Sequence, residues 1–440
     1  MTELNYNAGD ARGIASALHQ WCADLWPINR SLTGPGVRAT LNYLNTKLAG
    51  KVAVHAVPSG TAAFDWTVPD EWTFRDAWVE NQAGDRVIDA QVSNLHVMGY
   101  SEPVDQWMDL DALQQHLYSL PEQPEAIPYV TSYYKRRWGF CLSEEQRQAL
   151  VPGRYRAVVD ADLKPGVLNY GELVIPGDTE KEVFLSTYIC HPSMANNELS
   201  GPVVTTAIAQ WLQSLPTRRF TYRIVFIPET IGSLVYLSQH LEHLKRHVVA
   251  GFNVSCIGDD RCYSYLPSRA GNTLADRAAQ HALAHIDESY FRYTWLDRGS
   301  DERQYCSPGV DLPVATIMRS KYGEYPEYHT SLDDLNLVTP SGLEGGYNAL
   351  KSAIEAIEMN GRPVAQVLGE PQLGKRGLYP TISQKGSAVG EVKTMMNLLT
   401  YADGERDLIE IADLIGVRLQ ELKEIVESLV RAELITLECG

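Results

Sequence analysis

The chain has 440 residues, of which 44 % are hydrophobic and 21 % charged, and its formal net charge is -17. That length predicts about two to three domains with real cores, and that acidity speaks against nonspecific binding to nucleic acid or anionic membrane. Seven cysteines, without a CxxC pair, read as reduced cytosolic thiols and not as a disulfide frame or a zinc–cysteine site.

The first residues, Met1–Asn7, lack a basic stretch followed by an apolar core, and no apolar run approaches the roughly 20 residues that cross a bilayer. A cytoplasmic protein without a membrane span is the expectation. Ala11–Leu25 carries Ile14, Leu18, Trp21 and Leu25 at helical spacing and is broken at Pro27. The loop Asn29–Gly36 holds Arg30 and Thr33 and leads into a second amphipathic helix over Val37–Leu48. Arg30 is a candidate partner for a substrate carboxylate, or a helix-capping or surface cation.

Beyond Val52 the pattern turns to short aromatic β segments: Val52–Thr61, Phe64–Trp72, Trp72–Asn81, a turn at Gly84 and Asp85, Arg86–Ala90 and Arg154–Ala161. Residues 65–165 are expected to form a small β-rich domain inserted into a larger fold. Tyr129–Cys141 is the densest aromatic and basic stretch. Tyr133, Tyr134 and Trp138 are candidate pocket walls with Lys135 or Arg137 at the rim, or they pack the small domain's own core.

Strands and helices then alternate: Leu173–Gly177, Val183–Ile189, helix Val203–Leu215, strand Tyr222–Ile227, helix Leu234–Leu244, strand Val248–Ile257, helix Asn272–Ala284, strand Val314–Met318 and helix Ser341–Met359. This order predicts an α/β fold with a mostly parallel (mixed) sheet covered by helices on both faces. It assigns residues 1–64 and 166–365 to that domain. A linker with Pro371, Gly374, Gly377 and Pro380 precedes helices over Glu391–Tyr401, Leu408–Leu414 and Leu419–Ala432 and a strand at Leu434–Leu437, the order of a winged helix over 366–440. From Glu391 to Gly440 there are eleven acidic and five basic side chains, so a protein contact, or a homo-oligomer, is expected of this module and not DNA.

Three polar groups fall where core strands end: His191, Glu229 and His329. Metal-assisted amide hydrolysis needs ligands that leave a position for water, and a carboxylate that moves the water's proton to the leaving amine. Glu229 suits that carboxylate, and also suits a helix N-terminus. The loop from His191 to Gly201, with Asn196, Asn197 and Glu198, reads on its own as a solvated turn capped by Ser200. Asp301, Asp333 and Asp334 are candidates to orient ligands from behind, or loop acids.

The series His191-Pro-Ser, Asn197-Glu-Leu-Ser-Gly201, Glu229-Thr-Ile-Gly232, Ser300-Asp-Glu302, Gly309-Val-Asp-Leu-Pro313 and His329-Thr-Ser-Leu-Asp333 resembles the zinc aminopeptidase clan, which includes bacterial leucyl aminopeptidase and glutaminyl cyclase. Arg30-Ser-Leu-Thr-Gly34, Ser59–Trp66 and Lys321–Thr330 resemble more closely a bacterial group of aminopeptidase-like proteins, often described alongside polysaccharide or secondary-metabolite biosynthesis, with an inserted β domain and a C-terminal winged helix. The resemblance implies a metal-dependent hydrolase acting on an amide or peptide bond of a small molecule or short peptide.

The chain departs from the clan at three positions. Asn197 stands where the two-zinc enzymes have a bridging Asp, Thr230 where they have a ligand Glu, and Ser255 where another ligand Asp falls. One zinc ion is therefore expected in preference to two, with another divalent metal as the alternative. Its expected ligands are His191, Glu198 and His329, with Asn197 or Asp301 as substitutes for Glu198. Glu229 would be general base and acid. Arg30, Tyr133, Tyr134, Trp138, Arg303 and Tyr322 would bind substrate, and Asn197, Asp301 and Asp333 would support the ligands. Two other functions stay open: an amide-cyclising enzyme of glutaminyl-cyclase type, and a retired scaffold that binds a ligand or a protein.

Overall fold

The computed structural model describes residues 11–378 and 387–438; the Met1–Asn7 stretch and Pro380 of the expected linker lie outside them. Helices α1 (Ala11–Leu25) and α2 (Pro35–Lys47) precede strand β1 (Ala53–Pro58). Four strands then form a separate antiparallel sheet: β2 (Glu71–Asn81), β3 (Arg86–Asp89), β4 (Val104–Asp109) and β5 (Arg154–Lys164), in the order β3-β2-β5-β4. This is the inserted domain. Its Tyr129–Cys141 stretch is irregular until Phe140–Cys141, so the aromatic cluster is a loop and not a strand.

The core resumes with β6 (Val167–Ile175), β7 (Glu182–Tyr188), α3 (Ser200–Ser214), β8 (Thr221–Ile227), α4 (Ile231–His247) and β9 (Val248–Asn253). It continues with β10 (Ser264–Leu266), α5 (Leu274–Ala284), β11 (Phe291–Arg292), β12 (Val314–Met318) and α6 (Pro340–Met359). Its eight-stranded sheet has the order β1-β6-β8-β7-β9-β12-β10-β11. Strands β8, β7, β9 and β12 are mutually parallel, while β1, β6 and β10 run antiparallel to their inner neighbours.

Every residue of β7 is buried, as a strand covered on both faces requires. Val183 and Leu185 point to the layer that contains α1, α3, α5 and α6, and Phe184 to the layer shared by α4 and the inserted domain. Helix α3 sits unusually close to the sheet. A Cβ on Gly201 would meet the Val254 carbonyl oxygen at 2.4 Å, so only glycine permits that approach. Parallel central strands place the ends of β7, β8 and β9 on one rim, where the functional residues gather.

Beyond α6, the strand β13 (Arg362–Ala365) pairs with β14 (Ile435–Glu438) and encloses α7 (Ser387–Thr400), α8 (Leu408–Ile415) and α9 (Lys423–Arg431). The winged-helix unit thus begins at Arg362, a few residues before the expected boundary at 366, because its sheet takes its first strand from the chain leaving α6. Asp407 fastens it to the core. One carboxylate oxygen caps α8 by accepting from Glu410 N at 3.0 Å, while the other accepts from Arg277 at 2.5 Å and from Asn360 at 2.9 Å. His281 of α5 adds a second tie, 2.6 Å from Asp413 through Nδ1 and accepting from Leu419 N at 3.0 Å through Nε2.

Replacing Asp407 removes a cap and a charge-assisted pair together, so Asp407→Ala is expected to cost about 2–4 kcal/mol in the docking of this unit. Amide hydrogen exchange should show residues 408–438 losing protection while β7 and β8 keep theirs. Equal loss in both regions would mean the unit is not a separate tie.

Candidate functional site

The rim at the ends of β7 and β8 carries His191, three residues past Tyr188, and Glu229, two past Ile227. His329 arrives from the long loop after β12, with its backbone in the left-handed region at φ 56°. Ser193 and Thr230 share that conformation at φ 42° and 63°. Such backbones are strained and persist only where the surrounding structure holds them. The two imidazole rings lie 5.4 Å apart between centroids.

His191 is gripped from behind. Its Nδ1 lies 2.9 Å from Glu198 Oε2, and its Nε2 faces Glu229 Oε2 at 3.7 Å. Arg30 closes the back of the site, donating to the His191 carbonyl at 3.0 Å and to the Leu25 carbonyl at 2.8 Å, with its Nε 3.7 Å from Glu198 Oε1. Arg30 and Glu198 are both fully buried side chains. Burial pushes the Glu198 carboxyl up to about 8 against the pull of Arg30. Burial, with Arg30 second, pushes His191 down to about 3, and burial, with His191 second, does the same to His329. Both rings are therefore neutral and can offer lone pairs. His329 Nε2 is buried without a hydrogen-bond partner among the described residues.

The solvated reading of the His191–Gly201 loop fails, since every residue from His191 to Gly201 is buried. Ser200 does not cap α3; it is the first helical residue and donates to the Asn196 carbonyl at 2.6 Å. The loop is organised by Asp333, whose carboxylate accepts from the amides of Ala195 (3.1 Å), Asn196 (2.6 Å) and Asn197 (2.9 Å) and from the Tyr325 hydroxyl (2.8 Å). The Asn197 side-chain oxygen accepts from Tyr188 at 2.6 Å, and its nitrogen is buried and unpartnered among the described residues.

Glu229 is the half-open member, with its side chain 21 % exposed. Ser300 donates to its Oε1 at 3.0 Å. Burial first, and the neighbouring Asp301 charge second, raise its carboxyl above the ordinary range. Asp301 accepts from Thr230 N at 2.7 Å and from Ser233 at 2.9 Å, holding the strained Thr230 backbone in place. Arg303, exposed at the mouth, donates to Thr230 Oγ1 at 2.7 Å.

Several expected roles change in this geometry. Glu198 engages Nδ1, whereas the nitrogen facing Glu229 is Nε2, so Glu198 lies behind the His191 ring, where Cys190, His191 and Glu198 bring three potential ligand atoms together. Arg30 is buried and engages two backbone carbonyls and Glu198, while its Nη2 has no partner among the described residues. Tyr322 is buried and donates to Glu302 at 2.6 Å, bracing the Ser300 loop instead of lining a pocket. Trp138 stacks on His116 at 3.6 Å within the inserted domain. Tyr133 and Tyr134 join hydroxyls. Tyr133 lies near enough to the site that, after burial and Tyr134, Glu229 also pushes its hydroxyl upward, while Tyr134 is 70 % exposed.

The ring that the inserted domain does place at the site is Tyr129, 5.0 Å from His191 and 5.2 Å from His329 between centroids. It gets there because Tyr129 N donates to the His329 carbonyl at 2.8 Å and Pro128 bridges to Thr330. Tyr328, stacked on His329 at 3.9 Å, completes the aromatic wall. The sequence flagged the Tyr129–Cys141 cluster but not which ring reaches the cleft.

Comparison with known proteins agrees with this architecture. Residues 19–360 match a family described as a domain of unknown function (DUF4910), and residues 362–437 match a winged helix-turn-helix family. A relative from Clostridium acetobutylicum, named as a candidate polysaccharide biosynthesis protein with an aminopeptidase-like domain, is 39 % identical over 439 residues, covering 99 % of this chain and all of the relative. A crystal structure of a candidate peptidase from the same organism superposes with a TM-score of 0.90 at 38 % identity, covering 97 % of each chain. A zinc aminopeptidase from Bacillus subtilis shares the fold alone, with a TM-score of 0.57 at 13 % identity over 79 % of this chain and 95 % of that one.

The buried Arg30–Glu198 pair supplies a test. Removing one partner of such a pair costs about 3–5 kcal/mol, much of it from the charge left behind. Arg30→Met should therefore destabilise strongly in urea, and adding Glu198→Gln should recover a good part of the loss. Simple additivity of the two would show that the pair is not coupled.

Proposed function

We propose that this chain, which belongs to the family described as a domain of unknown function (DUF4910), is a metal-dependent amide hydrolase of aminopeptidase type that works with one ion. The observation that carries the reading is the pair of neutral, buried imidazoles meeting at one cleft, His329 Nε2 without a partner and His191 Nε2 turned toward Glu229. A Glu side chain on the far nitrogen of His191 is the support that metal-ligating histidines receive. His191 and His329 would hold the ion, with the second lone pair of Asn197 Oδ1, beside the bond it accepts from Tyr188, as the third donor, and zinc suits imidazole-rich sets of this kind.

When bound, the ion supplies Lewis acidity toward an amide carbonyl. The protein supplies the rest. Glu229, steadied at one oxygen by Ser300 and raised by burial and by Asp301, takes the proton of an attacking water and delivers it to the departing amine. Tyr129 and Tyr328 wall the cleft and exclude bulk water. Arg303 presents a cation at the mouth, suited to a carboxylate or other anionic group of the substrate. The one-ion reading also rests on Thr230, which stands where the two-zinc enzymes have a ligand Glu and whose hydroxyl instead accepts from Arg303.

Protein purified without chelator should contain about one equivalent of zinc or another divalent metal, as an open three-ligand site implies. His329→Ala should lose it. Glu229→Gln should keep the metal and lose about 100-fold or more of the turnover of aminoacyl anilides or short peptides. Metal-free protein whose unfolding temperature ignores added zinc would end the enzyme reading, and undiminished turnover in Glu229→Gln would end the assignment of the base.

A further inference from the structure

We propose a second binding site, for a neutral saccharide, in the cavity of about 630 Å³ that lies between the N-terminal segment and the inserted domain. Its wall takes in Ser193 and Ser331, each two residues beyond a cleft histidine, so it backs onto the loops of the candidate metal centre without including either imidazole. The volume falls within the 300–1,000 Å³ typical of small-molecule sites, by the order-of-magnitude range of about 10³ Å³ or less.

The wall chemistry selects the ligand. Trp26 and Phe74 contribute aromatic surface, while Trp72 backs the wall, 3 % exposed and stacked against both Phe74 at 5.2 Å and Tyr100 at 5.9 Å. Such faces suit the C–H side of a sugar ring, which meets the negative face of the π system. Among the described lining residues the only charged one is Arg75, and it is already held by Asp160 at 2.8 Å and Asp162 at 2.8 Å. An anion would find no free cation on the wall and a cation no carboxylate.

Hydrogen-bonding capacity on the wall is nevertheless unspent. Ser31 is only 7 % exposed, lines the cavity, and its hydroxyl has no partner among the described residues. Asn29, on the same wall, keeps a buried side-chain nitrogen with no acceptor among the described residues. Asn94 spends its nitrogen on the Pro27 carbonyl (3.2 Å) and on Ser193 (2.8 Å), leaving its oxygen to accept. A buried polar atom without a partner is costly, as Asn29 Nδ2 is here, so a wall that sets it with the Ser31 hydroxyl and the Asn94 oxygen beside aromatic faces is complementary to a ligand rich in hydroxyls and poor in charge.

The test reads binding and not turnover, so it stands whether or not the hydrolase reading survives. Maltose, cellobiose and N,N′-diacetylchitobiose are titrated into the full-length protein and followed by calorimetry and saturation-transfer NMR. At least one should bind with a Kd of about 1 mM or tighter. Ser31→Ala should weaken that binding by about tenfold, the loss of one hydrogen bond. Ala39→Trp, at an exposed helical position on the cavity rim, should abolish it while leaving the unfolding temperature and metal content unchanged. Absence of binding by all three sugars, or binding undiminished in either variant, would overturn the proposal.

Discussion

The Asp333 carboxylate is the constraint on which the site depends. It belongs to the loop that delivers His329, yet it accepts from three successive amides of the loop that delivers His191. Those amides sit in the π-type turn Ala195–Leu199, where no helix precedes them to satisfy their N–H groups. Charge-assisted bonds of this kind are worth about 1.5–3 kcal/mol each. One side chain thus converts the distance between two loops, 138 residues apart at Ala195, into a fixed dimension. Asp259 repeats the device one layer down, tying Asn196 (3.0 Å) to the backbone of Ser320 (2.8 Å).

That fixed dimension matters because the cleft lies against buried ionisable groups. Arg30, Glu198 and Asp333 are all within the protein interior. Ions taken out of water are costly unless their geometry is met. Their presence makes sense only if the precision they confer is used, and the group they converge on is the His191 ring. Glu198 sets its orientation, Arg30 holds its carbonyl, and Asp333 sets the turn that carries Glu198. The π-type turn is part of the same arrangement, since such turns concentrate where a helix start must present side chains to a site.

Much of this was legible in the sequence. The apolar runs that end at Ile189 and Ile227 announced parallel strands, and the polar residues just beyond them were found on one rim because parallel strands end on the same side. What was not legible is direction. Adjacency of Glu198 to the missing bridge at Asn197 suggested a ligand, but only the turn decides which imidazole nitrogen it reaches. Arg30 read as a loop cation because its partner His191 lies 161 residues away. The aromatic cluster was visible as a cluster, yet selecting Tyr129 over Trp138 required knowing that the insert pairs its backbone with the His329 loop. These are all consequences of docking, which periodicity does not encode.

Thr230 and Arg303 carry the last step. The Thr230 backbone is held at positive φ by Asp301, a strain that a free loop would relax. The corner is therefore fixed, and its side chain accepts from a guanidinium. A divalent ion at roughly 4 Å from that guanidinium would meet a repulsion of ~8 kcal/mol at an effective dielectric near 20. The same charge draws Glu229 and Asp301 downward, against their burial, as a second ion would. On the proposed one-ion reading, Arg303 supplies at this corner positive charge of the kind a second metal would bring, carried by a group that cannot be lost to a chelator. A chain that exchanged an ion for an arginine at this corner would gain recognition of an anionic substrate group as it gave up dinuclear chemistry.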